Sequence, residues 1–187
     1  MRCEAHSPNP FKNGPCALTS MFEMSPGLIW QADQSLLSSL LQTASDAPRR
    51  RTHLILHQDH SDPVQRLLIA AVDGTYVAPH THSDQWEVLS VLSGSGRLLQ
   101  FNADGELTAT VNMQAGASSI LQIPPGIPHS FVVTGPSAVV LEVKPGPYRP
   151  NEFVEWGPEE GSDAARHFVT WAQTADAGDA WQTAIQL

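Results

Sequence analysis

"GTYVAPHTHSDQWEVLSVLSG", residues 74–94, sets three potential metal ligands into a stretch otherwise suited to β-structure. In an extended strand, residues two apart face the same side, so His80 and His82 point together and Thr81 points away. Glu87 opens the next apolar run, whose alternation puts Glu87, Leu89 and Val91 on one face and Val88, Ser90 and Leu92 on the other. A carboxylate at the mouth of an apolar face is costly unless something pairs with it. Two neutral imidazoles and a carboxylate converging on one divalent cation would supply that partner. The bland reading is a chance His-x-His pair in a loop beside a solvated acid. Against it stands "IPPGIPHSF", residues 123–131, where Pro124 and Gly126 set a tight turn that delivers His129 onto a new strand as a fourth ligand.

Outward from this stretch the chain reads as β-structure. Between Thr52 and Lys144 lie "HLILH", "PVQRLLIAAV", "WEVLSVL", "GRLLQF", "LTATVNM", "SSILQIP", "HSFVVT" and "SAVVLEVK". They are separated by Asp73-Gly74, Gly94-Ser95-Gly96, Asp104-Gly105, Gly116, Pro125-Gly126 and Gly135-Pro136. Many short strands at regular spacing predict an all-β sandwich or small barrel. Ahead of them, "GLIWQ" reads as a short strand. "DQSLLSSLLQTASDAP" reads as a helix capped by Asp33 or Ser35, with Leu36, Leu37, Leu40 and Leu41 on one stripe and a stop before Pro48.

The expected organisation is an irregular leader over 1–26, a strand and short helix over 27–50, the barrel over 51–148 and a C-terminal extension over 149–187. That extension holds seven acids and Arg166 as its single Lys or Arg after Pro150; Phe168 and Trp171 are expected to dock a short helix on the barrel. The composition change after Ser20 makes Met21 or Met24 a candidate translation start.

A chain of 187 residues has room for one ordinary domain with a real core. With 41% hydrophobic and 16% charged residues it reads as globular. No apolar run approaches the ~18–20 residues of a membrane span. A net charge of -9 argues against nucleic acid, which needs clustered Lys and Arg. The one basic cluster, Arg49-Arg50-Arg51, is expected to be a solvated surface turn rather than a phosphate clamp. Cys3 and Cys16 lie in a leader without the pattern of a signal peptide, so free thiols in a reducing cytoplasm are expected.

The motifs carry a family resemblance. Gly74, His80, His82, Glu87 and Gly94, at their spacing, match the first cupin motif in full; Pro124, Gly126 and His129 match the second. The lead-in from Gly116 to Pro124 is longer than usual, and Val133 stands where asparagine is common; neither position is a ligand. The resemblance implies a single cupin barrel (double-stranded β-helix, or jelly roll). "PRRRTHLILH", "DPVQRLLIA", "LEVKPGPY" and "WGPEEG" further resemble the WbuC-type cupin-fold metalloproteins, associated with bacterial surface-polysaccharide gene clusters, over about residues 27–161. The expected cofactor is one divalent transition metal (Fe, Mn, Ni, Zn or Co) on His80, His82, Glu87 and His129.

Polar residues on strands that should line a barrel point to a ligand. Glu142 and Lys144 share a face, and Arg66 interrupts an apolar strand; with Tyr148 they could hold a sugar-like or carboxylate small molecule, or form a structural ion-pair network. His53, His57 and His60 are left outside the site as surface residues. A metal-dependent enzyme (isomerase, epimerase or oxygenase) is favoured over a binding module for a carbohydrate or acid, and both over a scaffold. A homodimer is expected from the apolar start of the domain and an open sheet edge.

Overall fold

A computed structural model describes residues 29–117 and 120–184. The leader and its cysteines, the candidate start at Met21 or Met24, and Gly27 and Leu28 of the expected first strand lie outside them. Its remainder, Ile29–Gln31, is not in a strand.

Helix α1, Gln34–Asp46, begins where the side chain of Asp33 accepts from the Leu36 N–H at 2.9 Å. Its buried seam is Leu36, Leu37, Leu40 and Ala44, so the last turn continues through Ala44 while Leu41 is half-buried. Ala47 is extended at ψ 139°, as a residue before proline prefers, and the helix ends.

Eight strands follow: β1 Arg51–Ile55, β2 Val64–Val72, β3 His80–Thr81, β4 Glu87–Phe101, β5 Leu107–Gln114, β6 Ile120–Ile123, β7 His129–Pro145 and β8 Glu152–Phe153. Two pairs of expected strands are each one long strand. The Gly94-Ser95-Gly96 break lies inside β4, and Gly135-Pro136 lies inside β7. The glycines serve close approach and bending instead of a turn: a Cβ on Gly94, at φ +73°, would lie 1.9 Å from the Ser137 carbonyl oxygen. The β4–β7 register shifts between Val91 and Ser93 and again between Gly94 and Gly96.

β4 and β7 pair antiparallel from Val88↔Val143 to Gln100↔His129 and form the spine of two half-sheets. In one, β2 and then β1 flank β7 while β6 flanks β4. In the other, β3 and then β8 flank β7 while β5 flanks β4. Ala71, Leu89, Val91, Ile123, Ala138 and Val140 form the inner core with Leu98, Met113 and Val133. α1 packs on β1 and β2, where Leu54, Leu68 and Ala70 are buried on the face opposite that core.

The C-terminal extension supplies β8, α2 (Asp163–Ala172) and α3 (Trp181–Ala184). Phe168 and Trp181 bury against Leu99, Phe101 and Val132, with Trp171 partly buried beside them. Arg97, on the same face of β4 as Leu99, reaches the end of α2 and donates to the carbonyls of Gln173 and Ala175, each at 2.8 Å.

The basic cluster departs from expectation. Arg49 grips Glu160 with two hydrogen bonds of 2.8 and 2.7 Å, Arg51 pairs with the same carboxylate at 2.9 Å, and Arg50 donates to the Asp73 carbonyl. Arg49 and Arg51 fasten the extension to the start of the sheet. Their acidic partner lies over a hundred residues away, where local sequence gives no sign of it.

Candidate metal centre

The four expected ligands come together. His80 and His82 stand on and just after β3, Glu87 opens β4 and His129 opens β7; all four are buried, with their ligand atoms within 4.8 Å of one another. Two backbone links hold the arrangement. His80 pairs directly with His129 across β3 and β7, and Gly126, at φ +75° in the turn before His129, donates its N–H to the His82 carbonyl at 2.7 Å.

Each imidazole is prepared differently. His80 Nδ1 lies 2.8 Å from the Ala78 carbonyl and His129 Nδ1 2.9 Å from that of Ile127. A carbonyl accepts only, so both rings carry their proton on Nδ1 and turn the Nε2 lone pair inward. His129 Nε2 is 3.1 Å and His82 Nε2 3.3 Å from Glu87 Oε2. Burial, reinforced by His129, pushes His80 down to about 3, so it is neutral at physiological pH. For Glu87 burial pulls upward, but the neighbouring His129 and His82 outweigh it and hold the carboxyl well below its ordinary range. Both ring nitrogens of His82 are buried without a hydrogen-bond partner. Such an orphan is what a cation would satisfy, and neutral imidazoles with one carboxylate are the donors that borderline divalent metals take.

Beside this cluster, Lys144 Nζ pairs with Glu142 Oε1 at 2.8 Å, and the Glu87 charge acts on both. Burial and the Glu87 charge raise Glu142 to about 8, against the pull of Lys144. Burial draws Lys144 down, but the charges of Glu142 and Glu87 leave it raised overall.

Arg66 does not join them. It pairs in register with Val143, while its neighbour Gln65 is opposite Lys144, so Arg66 points to the other face and pairs with Asp62 in solvent. Gln65, only 1% exposed, is the β2 residue that sequence reasoning missed; strict alternation counted back from buried Ala71 would have found it. Tyr148 is half-exposed with its ring against His60. His57 is buried, its Nδ1 3.0 Å from the Arg66 N–H, instead of lying on the surface. β8 adds another neighbour: Phe153 stands opposite His80, and its ring is 6.3 Å from the imidazole.

The strand arrangement and the site can be set beside known proteins. A family model described as a domain of unknown function (DUF6016) matches residues 32–113, less than half of the chain. No curated protein matches the sequence. Among solved structures, an oxalate oxidase in complex with the substrate analogue glycolate is 18% identical with a TM-score of 0.49, covering 59% of this chain and 58% of that one. A cupin-like protein from Thermotoga maritima is 17% identical at TM-score 0.45, covering 55% and 74%. KdgF from Halomonas sp. is 18% identical at TM-score 0.43, covering 53% and 80%. The fold of this chain is a mostly β half-barrel with a helix before it and helices after it, and its two histidine-bearing motifs meet at one buried cluster of three histidines and a glutamate.

Proposed function

We propose that this chain is a metal-dependent enzyme, an isomerase, epimerase or oxygenase, acting on a sugar-like or carboxylate-bearing small molecule. The observation that carries the reading is the buried ligand set itself: four donor atoms within 4.8 Å, two of the histidines held in one tautomer by their own backbone. His80, His82 and His129 would hold a divalent transition metal and Glu87 would offset its charge. Such a cation polarises a substrate oxygen when bound. Glu142 and Lys144 place a paired carboxyl and ammonium next to that position, where they can orient a polar substrate. The WbuC-type likeness, and with it a place in surface-polysaccharide metabolism, belongs to the same proposal and is supported by the quoted segments. So do a cytoplasmic homodimer, supported by the unpaired outer edge of β1, and its check, a light-scattering mass about twice 20.2 kDa.

Elemental analysis of protein purified without chelator tests the metal, with about one ion per chain expected. Incubation of Fe-, Mn-, Ni- and Zn-loaded protein with nucleotide sugars, free sugars and small keto acids, followed by mass spectrometry and NMR, tests the chemistry. Tight binding of one compound without conversion under any metal would sink the enzyme reading and leave a binding module.

A further inference from the structure

The three ligand histidines are not held alike. The rings of His80 and His129 are fixed by their own Nδ1 bonds to main-chain carbonyls, whereas neither nitrogen of His82 has a hydrogen-bond partner. A buried ring without such a bond is aimed by the main chain that carries it. On one side that main chain is secured, because the Gly126 N–H donates to the His82 carbonyl at 2.7 Å. On the other side Ser83, Asp84, Gln85 and Trp86 join His82 to Glu87 outside any strand.

This link is tied three times to the chain that leaves β7. Ser83 donates to Glu152, Asp84 pairs with Arg149, and Gln85 donates to the carbonyls of Pro145 and Pro147. Two of the ties are in solvent: the Asp84 and Arg149 side chains are each 54% exposed, and Ser83 and Glu152 are exposed as well. Water competes for such bonds and salt screens the ion pair. Gln85 is only 4% exposed. Carbonyls accept only, so its amide nitrogen faces them, and its two hydrogens serve the two oxygens. The chain it grips is itself held. Gly146, between the two prolines, donates to the Pro63 carbonyl at 2.8 Å, and a Cβ there would lie 1.8 Å from the Asp62 carbonyl oxygen. Tyr148 donates its N–H to the His60 carbonyl at 2.7 Å.

We propose that Gln85 is a positioning residue of the metal centre: its two bonds fix the link between His82 and Glu87, and so give His82 the direction that no bond to its ring supplies. Its amide is turned to Pro145 and Pro147, so it acts through His82 and is not itself a ligand. The inference rests on the metal-site reading for what His82 is aimed at, and not for how it is held.

The test uses the full chain, stripped of metal by chelation and titrated with cobalt(II). Visible absorption reads the coordination, a competing chelator gives the affinity, and denaturant unfolding gives the stability. NMR of the imidazole nitrogens is recorded on the metal-free samples. Gln85→Met keeps length and volume without donors. Its cobalt affinity should fall at least about tenfold, as when a ligand loses its orienting partner. Its cobalt absorption should change shape, and its His82 ring signals should split or broaden while those of His80 and His129 stay single. Arg149→Ala, which removes an exposed tie, should stay within about threefold of wild type. Arg97→Met loses buried donors at the end of α2; it should lower stability without altering the cobalt spectrum or affinity, which separates aim from stability. If Gln85→Met does not fold, Gln85→Asn, whose amide stops one carbon short, carries the same test with smaller changes. Cobalt affinity within about threefold of wild type together with unchanged His82 signals would overturn the proposal, as would equal losses of cobalt affinity in Gln85→Met and Arg97→Met. Wild type that takes up no cobalt, but whose single His82 signals split in Gln85→Met, would remove the metal reading and leave this one standing.

Discussion

Two ionic clusters in this molecule set glutamates against cations in opposite surroundings. Lys144 and Glu142 meet at 2.8 Å with each side chain 9% exposed, under the charge of a further carboxylate, Glu87. Arg49 and Arg51 share Glu160 at 2.7 and 2.9 Å, with the Arg49 side chain 51% exposed. The second arrangement is a fastening between distant segments, and water screens whatever charge it leaves unbalanced. The first is expensive. Two acids and an ammonium have been taken out of water, where hydrophobic residues of similar volume would often do as well for stability. Burial at that cost, next to three histidines with inward-facing nitrogens, points to a site maintained for what it holds.

The comparison predicts responses that descend in size. Replacing His80 and His129 together by alanine should take metal content from about one ion per chain to nearly none, while Arg49→Ala leaves it untouched. Elemental analysis reads both, and equal metal in wild type and the double variant would break the assignment. Chelation of wild type should lower its melting temperature, since an ion bound by the folded state alone stabilises it. Next in size is Lys144→Met, which leaves the buried Glu142 without its cation; at about pH 9, above the raised value of about 8 for that carboxyl, the expected loss in denaturant unfolding is about 3 kcal/mol. A loss under about 1 kcal/mol would mean that the buried pair behaves like a surface one.

Glu160→Gln should cost less, about 1–2 kcal/mol, after allowance for the solvent around it. Its pH signature follows from the Glu160 carboxyl, which burial draws up but which the Arg49 and Arg51 guanidiniums hold below its ordinary value of 4.5. A lowered folded-state pKa contributes stability that is present above 4.5 and is lost as pH falls through the folded-state value. The gap between wild type and Glu160→Gln should therefore be full near neutral pH and close in acid; a gap that widens in acid would contradict the clamp. Smallest is Arg49→Ala, about 0.5 kcal/mol, fading in about 1 M salt, because half of that side chain is already in solvent.

The two clusters also differ in how far the sequence exposes them. The ligand set was legible because its spacing is local: His80 and His82 obey strand alternation, and the turn at Gly126 announces His129. Glu142 and Lys144 were legible as a same-face pair for the same reason. Arg66 was misplaced because a polar residue in an apolar run does not say which face it takes. That choice is made by pairing with β7, a strand more than sixty residues later. From sequence the arginine cluster reads as solvated, because Glu160 lies in an acidic extension with nothing nearby to mark it. The long strands β4 and β7 were each read as two, since a glycine that lets another strand approach looks, in one dimension, like a glycine that turns the chain.

Arg97 shows the same dependence acting on a helix. The carbonyls just beyond α2 are met by a guanidinium from β4, with the peptide groups of Gln173 and Ala175 each 2.8 Å from it. The C-terminal boundary of this helix is therefore specified by a residue made some seventy positions earlier, and no glycine stands there to stop it. The end of α2 is thus completed by a tertiary contact instead of by a local stop signal. Hydrogen exchange should show the α2 amides opening first in Arg97→Met, with β4 and β7 still protected.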